Sequence, residues 1–425
     1  MPDTMKRFAP ILLLLVFAAC RRDYDVTVPD TTWAEFAAAG TQRLAAPAYA
    51  RLQGVYTINS GNARFGSNAV MRFSYDAAGT DTTYYLSIFC EKDVTWFLLQ
   101  GRRQDSVIRL NGYWRRMAGT ETGPARLTIG RETGGGFLLG TDPMQPGSVV
   151  INGVYGEPGA PIQEAVQFSW QRPLPNRNLE IVVHRGGGQS ADLLPASENS
   201  VEIIPYASLF GATGIEIDVR MTRDGVPILY HDATLNERLI QKNGMIGPIE
   251  NYTYAQLDAL VRLIRNGERI PTLREALEVV VRRTPLRFVW LDTKFNGSLQ
   301  PIRDLQAEFG QRAAVLGKPL EIVIGIPDRD VLANFQALPG FNAVPSVVEL
   351  DPEDATAVNA RIWAPRWTLG LQNTEVAAMQ AQGRRAFVWT LDQEQNIDLF
   401  LREGRFDGIL TNYPTAVAYH SYAQP

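Results

Sequence analysis

From residue 179 onward, strand-like apolar runs take turns with amphipathic helical segments. The runs "LEIVVH", "GIEIDV", "PILYH", "LRFVWLDTK", "LEIVIGI", "VPSVVEL", "RIWAPRW", "RRAFVWT" and "DGILTN" are interleaved with "REALEVVVRRT", "PIRDLQAEFG", "NTEVAAMQAQG" and "NIDLFLREG". A strand that is apolar along its whole length has both faces covered, and helices between such strands imply a parallel sheet. The stretch 179–425 suits closure into an eightfold α/β barrel of the TIM type. In that fold the residues at strand C-terminal ends form the reactive rim, so polar groups there carry the functional argument.

The preceding half has another rhythm. From about Thr41 to Trp170, short runs such as "VMRFSYD", "TYYLSIF", "VTWFLLQG" and "AVQFSW" alternate apolar and polar residues and are broken by Gly, Asn and Asp. That spacing predicts an all-β antiparallel barrel or sandwich. The phrases "LQGVY", "LNGYW" and "INGVY" recur at unequal intervals, which is turn-and-strand chemistry rather than a repeat. Only "TTWAEFAAAGTQRLAA" (31–46) reads as helix in this half, and a Pro-rich joint, "QRPLPNRN" (171–178), closes it. With 45% hydrophobic residues, the chain can fill two cores. The expected division is a leader (1–19), an anchor and linker helix (20–46), an all-β domain (47–170), the joint (171–178) and the barrel (179–425).

The leader "MKRFAPILLLLVFAAC" places Lys6 and Arg7 before an apolar core and small residues before Cys20. It is too short to span a bilayer and resembles a bacterial lipoprotein signal, which implies cleavage and lipidation at Cys20 and a place on the cell envelope. Cys90 is then left without a partner, so no disulfide framework is expected; it reads as a buried thiol in a strand. A formal charge of −4 offers no footprint for nucleic acid. The all-β half has no histidine and no acid cluster with ligand spacing. Its aromatics would mostly pack a core, and any protein or glycan partner is unknown from sequence.

The rim residues of the second half are different. His184 and Arg185 end the first strand; Glu216 and Asp218 end the second, two apart and so on one face; His231 and Asp232 follow a short extension; Asp292 and Lys294 end the third; Trp389 closes a later one. Three carboxylates make a hard-oxygen site for a single divalent cation, Ca2+ or Mg2+, which would offset the repulsion between Glu216 and Asp218. Arg185 and Lys294 can hold phosphate charge, and two imidazoles can serve as base and acid around phosphorus. Phosphodiester cleavage is the chemistry this set suggests. The remaining histidine, His420, lies near the C-terminus and reads as surface.

The ordered motifs "HRGGG", "SENS", "GIEIDVRMTRDGVPILYHDATLNE", "RIPTLREAL", "LDTK", "VWTLD" and "FDGILTNYP" resemble those of the glycerophosphodiester phosphodiesterases across roughly residues 179–418. The resemblance implies a TIM-like barrel, a divalent metal, and hydrolysis of a small glycerophosphodiester to glycerol 3-phosphate and an alcohol. It places His184 and His231 as the catalytic pair, Glu216, Asp218 and Asp292 as metal ligands, Arg185 and Lys294 at phosphate, and Trp389 near the glycerol end of the pocket. Asp292 stands where the family usually carries glutamate, one methylene longer. "SENS" replaces Pro-Glu-Asn-Thr but keeps Glu198, Asn199 and a Ser200 able to cap the next helix. The glycines of "HRGGG" would let backbone approach metal and substrate. Thr272 and Glu275 have the spacing of a capping box. Two other readings stay open: a surface lipoprotein that binds phosphodiesters or glycans without turnover, and a metal-independent phospholipase C-like lyase.

Overall fold

The computed structural model describes residues 26 and 28–424, so the leader and Cys20 lie outside the described residues. A two-residue strand, β1 (Gln42–Arg43), precedes β2 (Gly54–Ser60), β3 (Asn68–Ala78), β4 (Asp81–Cys90), β5 (Thr95–Gln104), β6 (Val107–Arg116), β7 (Thr122–Ile129), β8 (Val150–Gly156) and β9 (Ile162–Arg172). From β2 to β9 each strand pairs antiparallel with the next, and β9 returns to β2. The all-β half is therefore a closed up-and-down barrel, which leaves no open edge between its first and last strands. Its interior is filled rather than hollow: Phe65 packs on Phe97 with ring centroids 4.7 Å apart, and Trp114, Tyr56 and Phe168 are each fully buried. Cys90 closes β4 as a buried free thiol.

The helix expected over 31–46 does not form. This segment is turns and the short β1, and helix begins only at Ala46. Its aromatics are used across the barrel surface instead: Arg126 lies over the Trp33 ring and Arg102 over Phe36. Asn111 donates to the Thr31 carbonyl, and Gln42 and Arg43 pair with Arg103 and Arg102 of β5. Helical propensity in a short alanine-rich stretch is a weak preference, and these contacts override it.

The second barrel comprises β10 (Glu180–Val183), β11 (Gly214–Met221), β15 (Phe288–Thr293), β16 (Glu321–Ile326), β17 (Ser346–Val348), β18 (Ile362–Trp363), β19 (Arg385–Val388) and β20 (Gly408–Thr411), all parallel and closed where β10 meets both β11 and β20. Between β11 and β15, β12 (Pro227–Leu229) folds back on the end of β11, and β13 (Thr234–Leu235) and β14 (Gly247–Pro248) form a small ladder above the rim. This is the expected TIM-type architecture. Its lumen is packed by Val182, Phe288, Trp290, Val323, Val347, Ile362, Phe387 and Leu410. Gly325 is required there, because a Cβ would sit 2.6 Å from the Trp290 indole nitrogen. The helix Leu273–Arg283 carries the expected capping box of Thr272 and Glu275. His420 is half-buried among the C-terminal helix and its neighbours, not on the surface.

The two barrels share one apolar core. Val55, Val70, Phe89, Trp96, Leu98 and Met117 of the first pack with Ile181, Leu194, Ile203, Phe210 and Val417 of the second. At about 1.5–3 kcal/mol for each large side chain removed from water, even part of this burial contributes on the order of 10 kcal/mol. That is enough to fix the two barrels against each other. Among the described residues no helix is long and apolar enough to cross a membrane.

Candidate active site

Strand alternation places the acids. Phe288 and Trp290 face the lumen, so Asp292 does too, and the register pairs Gly214 with Phe288, Glu216 with Trp290 and Asp218 with Asp292. Glu216, Asp218 and Asp292 therefore rise through the upper lumen, and one oxygen from each lies within 4.8 Å of the others. The Glu216 and Asp218 side chains are 1% and 0% exposed. Each acid keeps one buried oxygen with no hydrogen-bond partner: Glu216 Oε1, Asp218 Oδ1 and Asp292 Oδ1. Three converging acids, each with an orphan oxygen, are what a hard cation would satisfy.

The other oxygens are tied down. The Arg185 backbone N–H donates to Glu216 Oε2 at 2.8 Å, and Asn199 exchanges two hydrogen bonds with Asp218, Nδ2 to Oδ2 at 2.7 Å and its Oδ1 receiving the Asp218 N–H at 3.0 Å. Lys294 Nζ stands 2.5 Å from Asp292 Oδ2 and 3.6 Å from Asp218 Oδ1. One ammonium cannot balance three acids. Burial, and then the charges of Asp218 and Asp292, hold the Glu216 carboxyl well above the usual range. Burial likewise raises Asp292. For Asp218 burial is outweighed by Lys294, His231, His184 and Arg185, which leave it lowered.

Both histidines come to this cluster, His184 beside Glu216 and His231 one residue after a backbone bond to Asp218. His184 follows β10 and its Nε2 is 3.7 Å from Glu216 Oε2. Its Nδ1 lies 3.0 Å from Asn412 Oδ1, and Asn412 Nδ2 donates to Asp392 at 2.7 Å. That second bond turns the amide oxygen toward His184, so Nδ1 carries the ring proton and Nε2 the lone pair. Burial and the Arg185 charge hold His184 well below the usual imidazole range. His231 is brought back to the rim by β12, with the Tyr230 N–H on the Asp218 carbonyl at 3.1 Å. Its Nδ1 is 2.6 Å from Asp232 Oδ1. Burial would raise Asp232, but bonds from Arg238, His231 and Asn236 outweigh it and keep the group ionised.

Arg185 occupies the mouth with φ +57°, and its Nη1 donates to buried Glu198 at 2.7 Å. Arg238 pairs with the same Glu198 and with Asp232, linking the supports of the two histidine-bearing segments. Trp389 is half-buried at the rim; its indole N–H donates to Ala364 O at 2.8 Å and Arg366 covers one ring face at 4.9 Å. The glycines after Arg185 meet scaffold rather than site: a Cβ on Gly187 would be 2.3 Å from Ile203, and one on Gly188 2.7 Å from Leu194. Ser200 accepts the Ile203 N–H at 3.2 Å, closing the turn before helix Ile204–Leu209 rather than capping the helix.

Residues 184–318 match the Glycerophosphoryl diester phosphodiesterase family. The family match lies wholly within the second barrel. The matched span includes His184, Arg185, Glu216, Asp218, His231, Asp292 and Lys294 and ends before Trp389. Glycerophosphodiester phosphodiesterase 1 of Mus musculus is 31% identical over 141 residues, 32% of this chain and 41% of that protein. A glycerophosphodiester phosphodiesterase of Caldanaerobacter subterraneus subsp. tengcongensis is 32% identical over 102 residues, 24% of this chain and 40% of that protein. The chain thus spans less than half the length of these curated relatives. Among solved structures, a glycerophosphodiester phosphodiesterase from Parabacteroides distasonis aligns at TM-score 0.45 and 24% identity, over 59% of this chain and 100% of that one. An Oleispira antarctica phosphodiesterase, solved with the product sn-glycerol-3-phosphate, aligns at TM-score 0.43 and 19% identity over 58% of this chain and 96% of that one.

Four members of the site were not placed there by sequence reasoning: Asn412, Asp392, Arg238 and Glu349. Glu349 follows β17 and has a buried, unpartnered Oε1; burial, then the Asp292 charge, raises its carboxyl well above the usual range. The signal for it was present, since an acid directly after an apolar strand is the same pattern that singled out Asp292.

Proposed function

We propose that this chain hydrolyses glycerophosphodiesters to glycerol 3-phosphate and an alcohol, using one divalent cation, Ca2+ or Mg2+, held by Glu216, Asp218 and Asp292. The observation that carries the reading is the set of three orphan carboxylate oxygens in the lumen with both imidazoles at its edge. When bound, the cation polarises a phosphoryl oxygen and offsets charge gathering on it. Arg185, whose Nε is buried and unpartnered, and Lys294 hold the phosphate.

His184 has a neutral amide behind it and a lone pair on Nε2, which suits it to take the proton of the attacking hydroxyl, whether water or a substrate glycerol hydroxyl. His231 has Asp232 behind it, which fixes the ring's orientation and suits it to protonate the departing alcohol oxygen as the P–O bond breaks. The leader and Cys20 support a lipid-anchored enzyme of the bacterial cell envelope.

Assay of the chain on glycerophosphocholine tests this. Release of glycerol 3-phosphate should require Mg2+ or Ca2+ and stop with chelator. Turnover indifferent to chelator would favour the lyase, and saturable binding without turnover the binding lipoprotein. Asp292→Glu should change the ratio of kcat/KM with Ca2+ to that with Mg2+ by about tenfold, because side-chain reach sets the ligand cage that separates the two ions. An unchanged ratio would remove Asp292 from the ligand set.

A further inference from the structure

The segment 184–203, which joins β10 to helix Ile204–Leu209, does more than present His184 and Arg185. Through Glu198 it pairs Arg185, and through Asn199 it exchanges two hydrogen bonds with Asp218. Both supports sit far along an irregular loop, and a site on a loop is only as well placed as whatever holds the loop. The loop is braced from two sides. Within the second barrel, Ser197 N–H donates to Glu268 at 2.9 Å, the Arg265 N–H to Ser197 Oγ at 3.0 Å and Arg265 Nη2 to Ser190 O at 3.1 Å.

The other brace comes from the β-barrel. Arg115, at the end of β6, is 2% exposed, and its Nη2 donates to the carbonyls of Leu193, Asp192 and Gly119. No described carboxylate lies within ion-pairing distance of it. A buried guanidinium spent on backbone carbonyls is costly unless those carbonyls need holding. Leu193 does need it: the residue has φ +52°, a left-handed conformation that a leucine adopts only under constraint. Beyond Arg115, Met117 is fully buried and reaches Gly188, whose own φ is +118°. Leu194, Ala196 and Ile203 of the loop share a core with Met117, Val70, Phe89 and Trp96 of the barrel.

We propose that the β-barrel is a positioning element of the active site, acting through Arg115 and Met117 on loop 184–203 and so on Arg185 and Asp218. The hydrolytic readout below rests on the phosphodiesterase reading; the metal-affinity readout does not. The control is Asp76→Asn. Asp76 of β3 binds Arg283 through two hydrogen bonds, at 3.0 and 2.7 Å, and so links the same two barrels without touching Glu198 or Asn199.

Mg2+ affinity is measured on the full chain by calorimetry, kcat and KM on glycerophosphocholine, and melting temperature alongside. Arg115→Met should weaken Mg2+ binding about fivefold or more and lower kcat/KM by about tenfold, whereas Asp76→Asn should leave both within about twofold even where it lowers the melting temperature. Arg115→Lys should recover part of the loss. Combined with Glu198→Gln, Arg115→Met should cost less than the product of the two separate losses, because both act on one loop. A folded Arg115→Met with parental metal affinity and kcat/KM overturns the proposal, as does a fully multiplicative loss with Glu198→Gln. Should Arg115→Met fail to fold, Met117→Ala is read in the same way. If the parent turns over no glycerophosphodiester, the phosphodiesterase reading fails and the titration alone decides this proposal; an unchanged Mg2+ titration in Arg115→Met then overturns it.

Discussion

Glu216→Gln should yield a protein that melts higher than the parent in the absence of metal, yet gains nothing from added Mg2+ or Ca2+ and has lost nearly all turnover. Three acids converge with a single ammonium among them, and Glu216 is the member whose ionisation the surroundings oppose most strongly, through burial and the charges of Asp218 and Asp292. The amide removes that charge, while its carbonyl can still accept the Arg185 N–H now bound at 2.8 Å. Lys294 is then left to two acids rather than three. With a cation the balance reverses, because a ligand present at a hundredfold excess over its Kd stabilises the folded state by about 2.7 kcal/mol, and a neutral amide surrenders most of it. Loss of the several kcal/mol that a Lewis acid supplies to phosphoryl transfer lowers kcat/KM by roughly 10³-fold. Thermal melts with and without each ion, beside the hydrolysis assay, check both halves. A variant that melts lower than the parent without metal, or that keeps the metal-induced rise, would mean that the cluster is not built around a cation.

What could be seen in advance of the fold follows the period of each element. A strand repeats every two residues, so Glu216, Asp218 and Asp292 could be placed on one lumen face as soon as "GIEIDV" and "FVWLDT" were taken as parallel staves. The choice between barrel and sandwich for the first half was not visible. Both have the same alternation, and closure depends on β9 meeting β2, a pairing such as Tyr56 with Trp170 that no local pattern records. The supports of the site were hidden for the same reason: Asn199 meets Asp218, Asn412 meets His184 and Arg238 meets Glu198 across long separations in sequence. The residues 31–46 fail in the opposite direction. Their local propensity favours helix, but Trp33, Phe36 and the β1 backbone find better partners on the barrel wall.

His231→Ala should lower kcat by about 10²–10⁴-fold while leaving the metal-induced rise in melting temperature intact, since a proton donor is removed but no carboxylate is touched. Asp232→Asn should cost less, roughly tenfold to a hundredfold, because the imidazole stays but loses the carboxylate that holds its orientation. Asp232 also receives Arg238 and Asn236, so a loss in Asp232→Asn has two possible routes, through the imidazole or through the loop that Arg238 ties to Glu198. The double variant separates them. If Asp232 serves catalysis through His231, then His231→Ala with Asp232→Asn turns over no more slowly than His231→Ala alone, since the carboxylate has nothing left to act on. If the two losses multiply, Asp232 works through Arg238 and Glu198 on Arg185, and the proton relay assigned to His231 loses its orienting acid. Persistence of parental kcat in His231→Ala would remove that histidine from the reaction altogether and leave the departing alcohol to be protonated by solvent.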